Sequence, residues 1–371
     1  MSKKIAFFVR TMHGGGAQRA MVRLASGFAA LGHEVEVLTL DPEGSFREEL
    51  SPTVKLTTLG PKRIFSAIPA IAYYMRLQRP DAVIVTEPAC NIAVVAAKIL
   101  AQTSTCVMIR EGLFPSVAVR ESPHGATRMA YRLSPLLYRH ADVIVAIAKD
   151  MAQDLATFAR LPPERITTIA VNPVVTPVLS AKATQAPDHP WFSDDIPVIL
   201  GVGRLDRQKD FATLITAFNT LRGIRPARLL IVGEGPLRPE LEALRLASPF
   251  PDDIALPGFS ANPFSLMASC AAFVLSSRYE GLPNVLIEAL ACGAPVVATD
   301  CPSGPHDVLE GGRFGSLVPV GDAQAMAEAV LGILAQPVDR AISRRRGMDF
   351  TLEISTAHYA AALFPAGAQA S

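Results

Sequence analysis

Apolar residues fall into short unbroken runs separated by stretches of helical spacing, the pattern of buried parallel strands alternating with packed helices. The first run, Ile5-Ala6-Phe7-Phe8-Val9, gives way to Gly14-Gly15-Gly16 and then to Ala20, Met21, Leu24, Ala25 and Phe28, spaced as on one helix face. Leu31-Gly32 closes that helix, and Glu34 to Leu40 supplies the next strand, completing a β-α-β unit. Strands are predicted again at Ala82–Val85, Thr105–Ile109 and Val143–Ala146, with helices between them. The first part of the chain therefore reads as a doubly wound parallel sheet.

Residues Ala170 to Pro177, with the Pro- and Asp-containing run from Lys182 to Pro197, read as an interdomain linker. A second strand-to-glycine turn follows at Pro197–Gly203, with strands at Arg228–Val232, Ala272–Leu275 and Pro295–Ala298. The recurrence is architectural and has no short-period sequence repeat, which excludes a solenoid. Asp349 to Leu363 reads as a final helix.

Composition agrees with two packed domains: 371 residues exceed the size at which one core keeps growing, and 50% of them are hydrophobic. A formal net charge of +1 provides no global field for nucleic acid, so neither nucleic acid nor a membrane is met except through a local basic patch. The five cysteines, Cys90, Cys106, Cys270, Cys292 and Cys301, show no C-x-x-C spacing and read as reduced core residues. The start leads straight into a strand without a signal-peptide run, and no apolar stretch is long enough to span a bilayer, so a cytoplasmic protein is expected.

The richest chemistry lies at Ser276–Gly293, where an apolar strand meets a polar turn and then a short helix that Pro283 can open and Gly293 can close. Seven residues separate Glu280, on the loop, from Glu288, inside the helix, so two acids are expected to face one crevice. Gly281 allows close backbone approach, and the N–H groups of Asn284 and Val285 at the helix start favour an anion, a phosphate above all. Upstream, Gly203-Arg204-Leu205-Asp206-Arg207-Gln208-Lys209 follows a strand and opens a helix, placing two cations at its mouth. No Asp-x-Asp pair accompanies them, so Arg204 and Lys209 either neutralise a diphosphate in place of a metal or form a basic turn that caps the helix. The loop Gly14-Gly15-Gly16 lacks the Lys-Ser/Thr of a nucleoside-triphosphate loop; a tight turn or close approach to a ligand explains it equally well.

Glu280 to Glu288 in this frame resembles the Glu-x7-Glu signature of the family-four (group 1) glycosyltransferases, retaining enzymes that use nucleotide-sugar donors. The resemblance covers nearly the whole chain. It implies an α/β GT-B fold: two doubly wound Rossmann-like domains facing each other across a crevice, residues 1–176 on the acceptor side and 177–348 binding the nucleotide sugar, with 349–371 crossing back onto the first domain. Gly203-Arg204-Leu205 to Lys209 resembles the family's Gly-Arg-Leu-x-x-x-x-Lys motif. By the same resemblance Glu288 holds the ribose, Glu280 the donor sugar, and Arg204 and Lys209 the diphosphate. Gly15, Gly16, Gly233, Glu234, Pro257, Gly258, Phe259, Gly281, Leu282, Asn284, Val285 and Leu286 complete the implied donor site. No cofactor and no metal are implied, since the nucleotide sugar is a substrate.

The chain departs from the family after Val107-Met108-Ile109, where many members carry a histidine and this one offers Arg110-Glu111-Gly112. Either Arg110 or Glu111 takes the acceptor-side role, Glu111 as a base, or the site uses a different residue; a structural ion pair is an equal reading of the two. Cys301–Asp307 and Gly311–Pro319 resemble a subgroup that makes lipid-linked oligosaccharides and surface polysaccharides, implying a UDP-sugar donor, N-acetylhexosamines among them, and a glycan or polyprenyl-diphosphate-linked acceptor. Arg128, Arg132 and Arg139, at helical spacings among apolar residues, and the basic apolar stretch from Lys62 to Arg79 suggest peripheral contact with the inner membrane face. Readings of another kind are a nucleotide-sugar epimerase of the same fold, a non-catalytic sugar-nucleotide-binding module and a two-lobed solute-binding protein.

Overall fold

The computed structural model describes residues 2–122, 124–336 and 338–365, so residues 366–371 of the expected C-terminal segment lie outside the described residues. The chain divides into two compact units, one formed by the chain up to Pro173 together with the segment from Leu352 onward, the other by Val174–Thr351. The second unit extends past the expected limits of 177 and 348 because Val174 and Val175 both donate to the Phe350 carbonyl, at 3.1 and 3.0 Å.

The first unit is built on seven parallel strands: β1 (Lys4–Phe8), β2 (Glu34–Thr39), β3 (Lys55–Thr58), β4 (Ala82–Thr86), β5 (Cys106–Glu111), β6 (Val143–Ala146) and β7 (Ile166–Thr168). Their spatial order is β3-β2-β1-β4-β5-β6-β7, so the winding reverses between β1 and β4. The central strands are buried on both faces, which is why they appear in sequence as continuous apolar runs. Phe7 on β1 meets Phe28 of the helix Gly16–Ala30 edge to face, with ring centroids 5.6 Å apart. The last helix, Leu352–Leu363, packs on that same helix at Gly27, where a Cβ would lie 2.1 Å from the Thr356 hydroxyl. Only glycine permits that approach.

The second unit holds six parallel strands: β8 (Val198–Val202), β9 (Arg228–Val232), β10 (Ile254–Gly258), β11 (Ala272–Leu275), β12 (Val296–Thr299) and β13 (Ser316–Val318). Their order, β10-β9-β8-β11-β12-β13, reverses between β8 and β11. Leu256-Pro257-Gly258 ends β10, and the register with β9 shifts between Ala255 and Gly258. β10 is an edge strand, where a proline that cannot donate to the ladder is tolerated.

Candidate functional site

In an open parallel α/β sheet, ligands bind outside the carboxyl ends of the strands, at the point where the strand order reverses. In the second unit that point lies between β8 and β11, and the segments leaving these two strands carry the motifs singled out in the sequence. Their side chains meet. Lys209 Nζ donates to Glu280 Oε1 at 2.6 Å, and the two side chains are only 17% and 8% exposed. Ser277 Oγ donates to the same oxygen at 2.6 Å, while Gln208 Nε2 donates to the Tyr279 carbonyl at 3.0 Å and reaches Glu280 Oε2 at 3.5 Å. Arg278 Nε bonds Asp210 Oδ2 at 2.9 Å and so ties the two segments together a second time.

Two residues outside the Glu280 and Lys209 motifs support this cluster. Thr299 on β12 donates its hydroxyl to the Ser277 carbonyl at 2.5 Å, and Gly304 lies against the glutamate loop. Gly304 has φ +80°, and a Cβ there would sit 2.3 Å from the Gly281 carbonyl oxygen and 2.5 Å from Pro283 Cδ. The helix behind the loop runs Asn284–Ala291, with Pro283 just ahead of it rather than in its first turn. Glu288 is half-buried on that helix. Leu286 is a correction: its side chain is fully buried and its N–H donates to the Pro283 carbonyl at 3.0 Å, so it offers a ligand neither. Leu282 also turns its side chain inward, leaving only backbone for a ligand.

Beside this cluster, the ends of β8 and β9 line a cavity of about 330 Å³ together with Phe259, Ser260 and Pro263. Gly203 and Gly233 both line it. Gly233 has φ +144°, and a Cβ there would lie 1.9 Å from the Gly203 carbonyl oxygen, so the two strand ends touch only because this residue has no side chain. Arg204 lines the cavity with its side chain 73% exposed, its Nε 3.9 Å from Asp206 Oδ2. Phe259 presents an 82% exposed ring at the rim. Glu234 also lines it, its carboxylate held in a two-pronged pair with Arg238 at 2.8 Å on each oxygen. The structure thus gathers a flat apolar ring, an exposed cation and an ion-paired glutamate around one cavity, a set of groups suited to a base, a phosphate and sugar hydroxyls.

In the first unit, β5 runs two residues past its predicted end, so Arg110 and Glu111 belong to the strand and point to opposite faces. Arg110 is buried and donates to Tyr359 Oη (2.8 Å), Asn172 Oδ1 (2.6 Å) and Thr86 Oγ1 (3.4 Å). It fastens the last helix to the sheet. Glu111 is 0% exposed, with Tyr131 and Tyr138 hydroxyls at 2.6 and 3.0 Å and Asn91 Nδ2 at 2.6 Å. Burial pushes its carboxyl up to about 7, against the hydrogen bonds and the neighbouring Arg110 that favour the anion. The expectation that either residue meets an acceptor is therefore corrected: both are sealed inside the unit and fully engaged there.

Gly15 and Gly16 do open the first helix, Gly15 as the residue before it, and Gln18 Oε1 accepts from the Gly15 N–H at 3.1 Å. Gln18 Nε2 in turn donates to Glu87 Oε1 at 2.7 Å, at the end of β4. Among the basic residues, Arg128 turns back onto the Ser122 carbonyl, whereas Met129, Arg132, Leu136 and Arg139 are exposed at spacings that share one face of the helix Gly125–Leu137 and the turn after it. Among the described residues no group of three or more His, Cys, Asp or Glu is arranged to hold a metal ion, and no helix is long and apolar enough to cross a membrane.

Comparison with known proteins follows the same division. Residues 14–170 match the model described as Glycosyltransferase Family 4, and residues 196–336 match Glycosyl transferases group 1. The chain is 30% identical over 349 residues, 90% of each protein, to the Campylobacter jejuni N-acetylgalactosamine-N,N'-diacetylbacillosaminyl-diphospho-undecaprenol 4-alpha-N-acetylgalactosaminyltransferase. It is 26% identical over 338 residues to the lipopolysaccharide core biosynthesis glycosyltransferase LpsE of Rhizobium meliloti, covering 90% of this chain and 89% of that protein. Among solved structures, a Rickettsia africae glycosyltransferase superposes with a TM-score of 0.77 at 15% identity, over 99% of this chain and 100% of that one. Anabaena Alr3699/HepE in complex with UDP and glucose superposes with a TM-score of 0.76 at 18% identity, over 97% and 99%. With two parallel-sheet units, both halves of the family model and a relative matched along nine-tenths of its length, the chain belongs to the family-four, group 1 glycosyltransferases of the GT-B fold.

Proposed function

We propose that this glycosyltransferase moves a sugar from a UDP-sugar, a UDP-N-acetylhexosamine foremost, to a hydroxyl of a polyprenyl-diphosphate-linked glycan, with retention at the anomeric carbon and without a metal ion. The observation that carries the donor reading is the Lys209–Glu280–Ser277 cluster beside a cavity lined by Gly203 and Gly233. In this reading Phe259 stacks on the base, Glu288 accepts from the ribose hydroxyls, and Arg204 with the first turn of the helix Asn284–Ala291 holds the diphosphate. Lys209 is shared between Glu280 and the leaving phosphate, so the pair seen in the structure keeps both groups in place until a donor arrives. The Campylobacter relative, named for galactosaminyl transfer to a diphospho-undecaprenol acceptor, supports the acceptor class, and the UDP-bound HepE structure supports the base.

Turnover with UDP-N-acetylgalactosamine and a polyprenyl-diphosphate-linked N-acetylhexosamine tests this reading. Release of UDP is expected to depend on the acceptor and to persist in excess chelator. Abolition by chelator with rescue by magnesium contradicts metal independence, and conversion of the donor to its epimer without any acceptor favours the epimerase.

The exposed face made by Met129, Arg132, Leu136 and Arg139 extends the reading to a membrane surface where such an acceptor is embedded. Each well-placed cation contributes about 1 kcal/mol of attraction to anionic lipid. Sedimentation with vesicles at low salt should be stronger for anionic than for neutral lipid, and weakened by Arg132→Glu with Arg139→Glu. Equal partition to both lipids, unchanged in that variant, removes the membrane from the proposal.

A further inference from the structure

Each sheet reverses its strand order beside a charge pair of the same build: a cation on the segment after β1 or β8, and a glutamate on the segment after β4 or β11. In the second unit the pair is Lys209 with Glu280; in the first it is Arg10 with Glu87, Nε 3.8 Å from Oε2. Glu87 sits at φ +74°, a region that a residue with a Cβ enters only against backbone preference. The side chain is held from one side. Gln18 Nε2 donates to Oε1, and Gln18 is itself set by the Gly15 N–H; a Cβ on Gly14 would come within 3.2 Å of the Gln18 amide. Oε2 has the Cys90 thiol at 3.6 Å and Arg10 Nε at 3.8 Å beside it, although a carboxylate offers about four acceptor positions.

Two carboxylates thus end neighbouring strands, and only one of them is available. Glu111 is closed off by two tyrosines and an asparagine, whereas a quarter of the Glu87 side chain remains exposed, with unfilled acceptor positions at the point where open sheets take ligands. Its charge disfavours a diphosphate and suits a neutral polyol that donates hydrogen bonds. We propose that Glu87 is an acceptor-binding residue, its carboxylate taking a hydrogen bond from a hydroxyl of the glycan acceptor while Gln18 holds it and Arg10 balances its charge. The assignment rests on the transfer reaction proposed above. Burial raises the Glu87 carboxyl above its ordinary range against the pull of Arg10, Cys90 and His124, the charged and titratable groups that face it from the segment after β1, the helix Pro88–Ala101 and the start of the helix Gly125–Leu137.

The test is the dependence of initial rate on each substrate, with UDP-N-acetylgalactosamine and a polyprenyl-diphosphate-linked N-acetylhexosamine, for the wild type, Glu87→Gln and Glu87→Asp. Glu87→Gln should lower kcat/KM for the acceptor by roughly 10–100-fold, the loss of one hydrogen bond to a charged group. Donor KM, acceptor-free donor hydrolysis and Tm should stay at wild-type values, and Glu87→Asp should restore part of the loss. The acid limb of kcat/KM for the acceptor should lie above the ordinary carboxylate range, persist in His124→Gln and vanish in Glu87→Gln. Unchanged acceptor kcat/KM in Glu87→Gln overturns the assignment. A parallel fall in Tm or donor affinity gives Glu87 a structural or donor role and overturns it too. If the wild type transfers to no such acceptor, the proposed reaction fails first and this assignment with it.

Discussion

Lys209→Ala is expected to slow sugar transfer by roughly 10²–10³-fold, the usual consequence of removing one fixed donor from developing negative charge. The change has two physical components. A cation is lost where the diphosphate departs, and Glu280 is left buried with the Ser277 hydroxyl and the Gln208 amide as its described side-chain partners. Breaking a mostly buried pair by removing one side costs about 3 kcal/mol of stability. The structure predicts that Lys209→Ala with Glu280→Ala is more stable than Lys209→Ala alone, because the double variant leaves no uncompensated carboxylate. Turnover at the wild-type level in Lys209→Ala would remove this residue from the mechanism, whatever happened to Tm.

The second large effect concerns stability against pH and is owed to Glu111. Its carboxyl is raised from 4.5 to about 7 in the folded state, chiefly by burial. Between these two values the unfolded chain releases the proton while the folded chain keeps it, so the folded state binds more protons and stability falls as pH rises. The contribution is fully present below about pH 4.5, declines through about pH 7 and is flat above it. Its full size is on the order of 3 kcal/mol. A protonated Glu111 also has a use for its hydrogen: Asn91 Oδ1 has no hydrogen-bond partner among the described residues, and with the amide turned over it can accept a hydrogen bond from that proton. Measured by thermal melts from pH 5 to 8, the wild type should lose stability relative to Glu111→Gln as pH rises. Parallel curves for the two proteins would show that Glu111 does not titrate in this window.

The buried parallel strands were legible because burial on both faces writes them as apolar runs; β1, β4, β8, β9 and β11 lie within a residue or two of their predicted limits. The strands the sequence did not announce, β3, β7, β10 and β13, are the edges of the two sheets. An edge strand is partly solvated and short, so Lys55-Leu56-Thr57-Thr58 carries no run to read, and Pro257 makes the end of β10 look like a turn. The motif glutamates and cations were legible as residues, but their pairing was not: nothing in the spacing of Lys209 and Glu280 says that the cation is bound to the glutamate. Arg110 and Glu111 failed for a related reason. A charged pair at the end of an apolar run looks like the start of a loop, and only the packing of Tyr131, Tyr138 and Tyr359 around it makes two more residues of strand affordable in energy. Glu87 was passed over because its neighbours Arg10 and Gln18 are distant in sequence and its unusual backbone angle leaves no mark there.

The reaction proposed is transfer of a sugar with retention, from a nucleoside diphosphate donor held by the second unit, to a lipid-linked hydroxyl. The most direct measurement is the proton NMR spectrum of the glycan formed from UDP-α-N-acetylgalactosamine and a polyprenyl-diphosphate-linked N-acetylhexosamine in the presence of chelator, with Lys209→Ala as the paired control. The expected result is one new α-linked residue, formed by the wild type and nearly lost in the variant. A β-linked product, or an α-linked product formed equally well by Lys209→Ala, would contradict it.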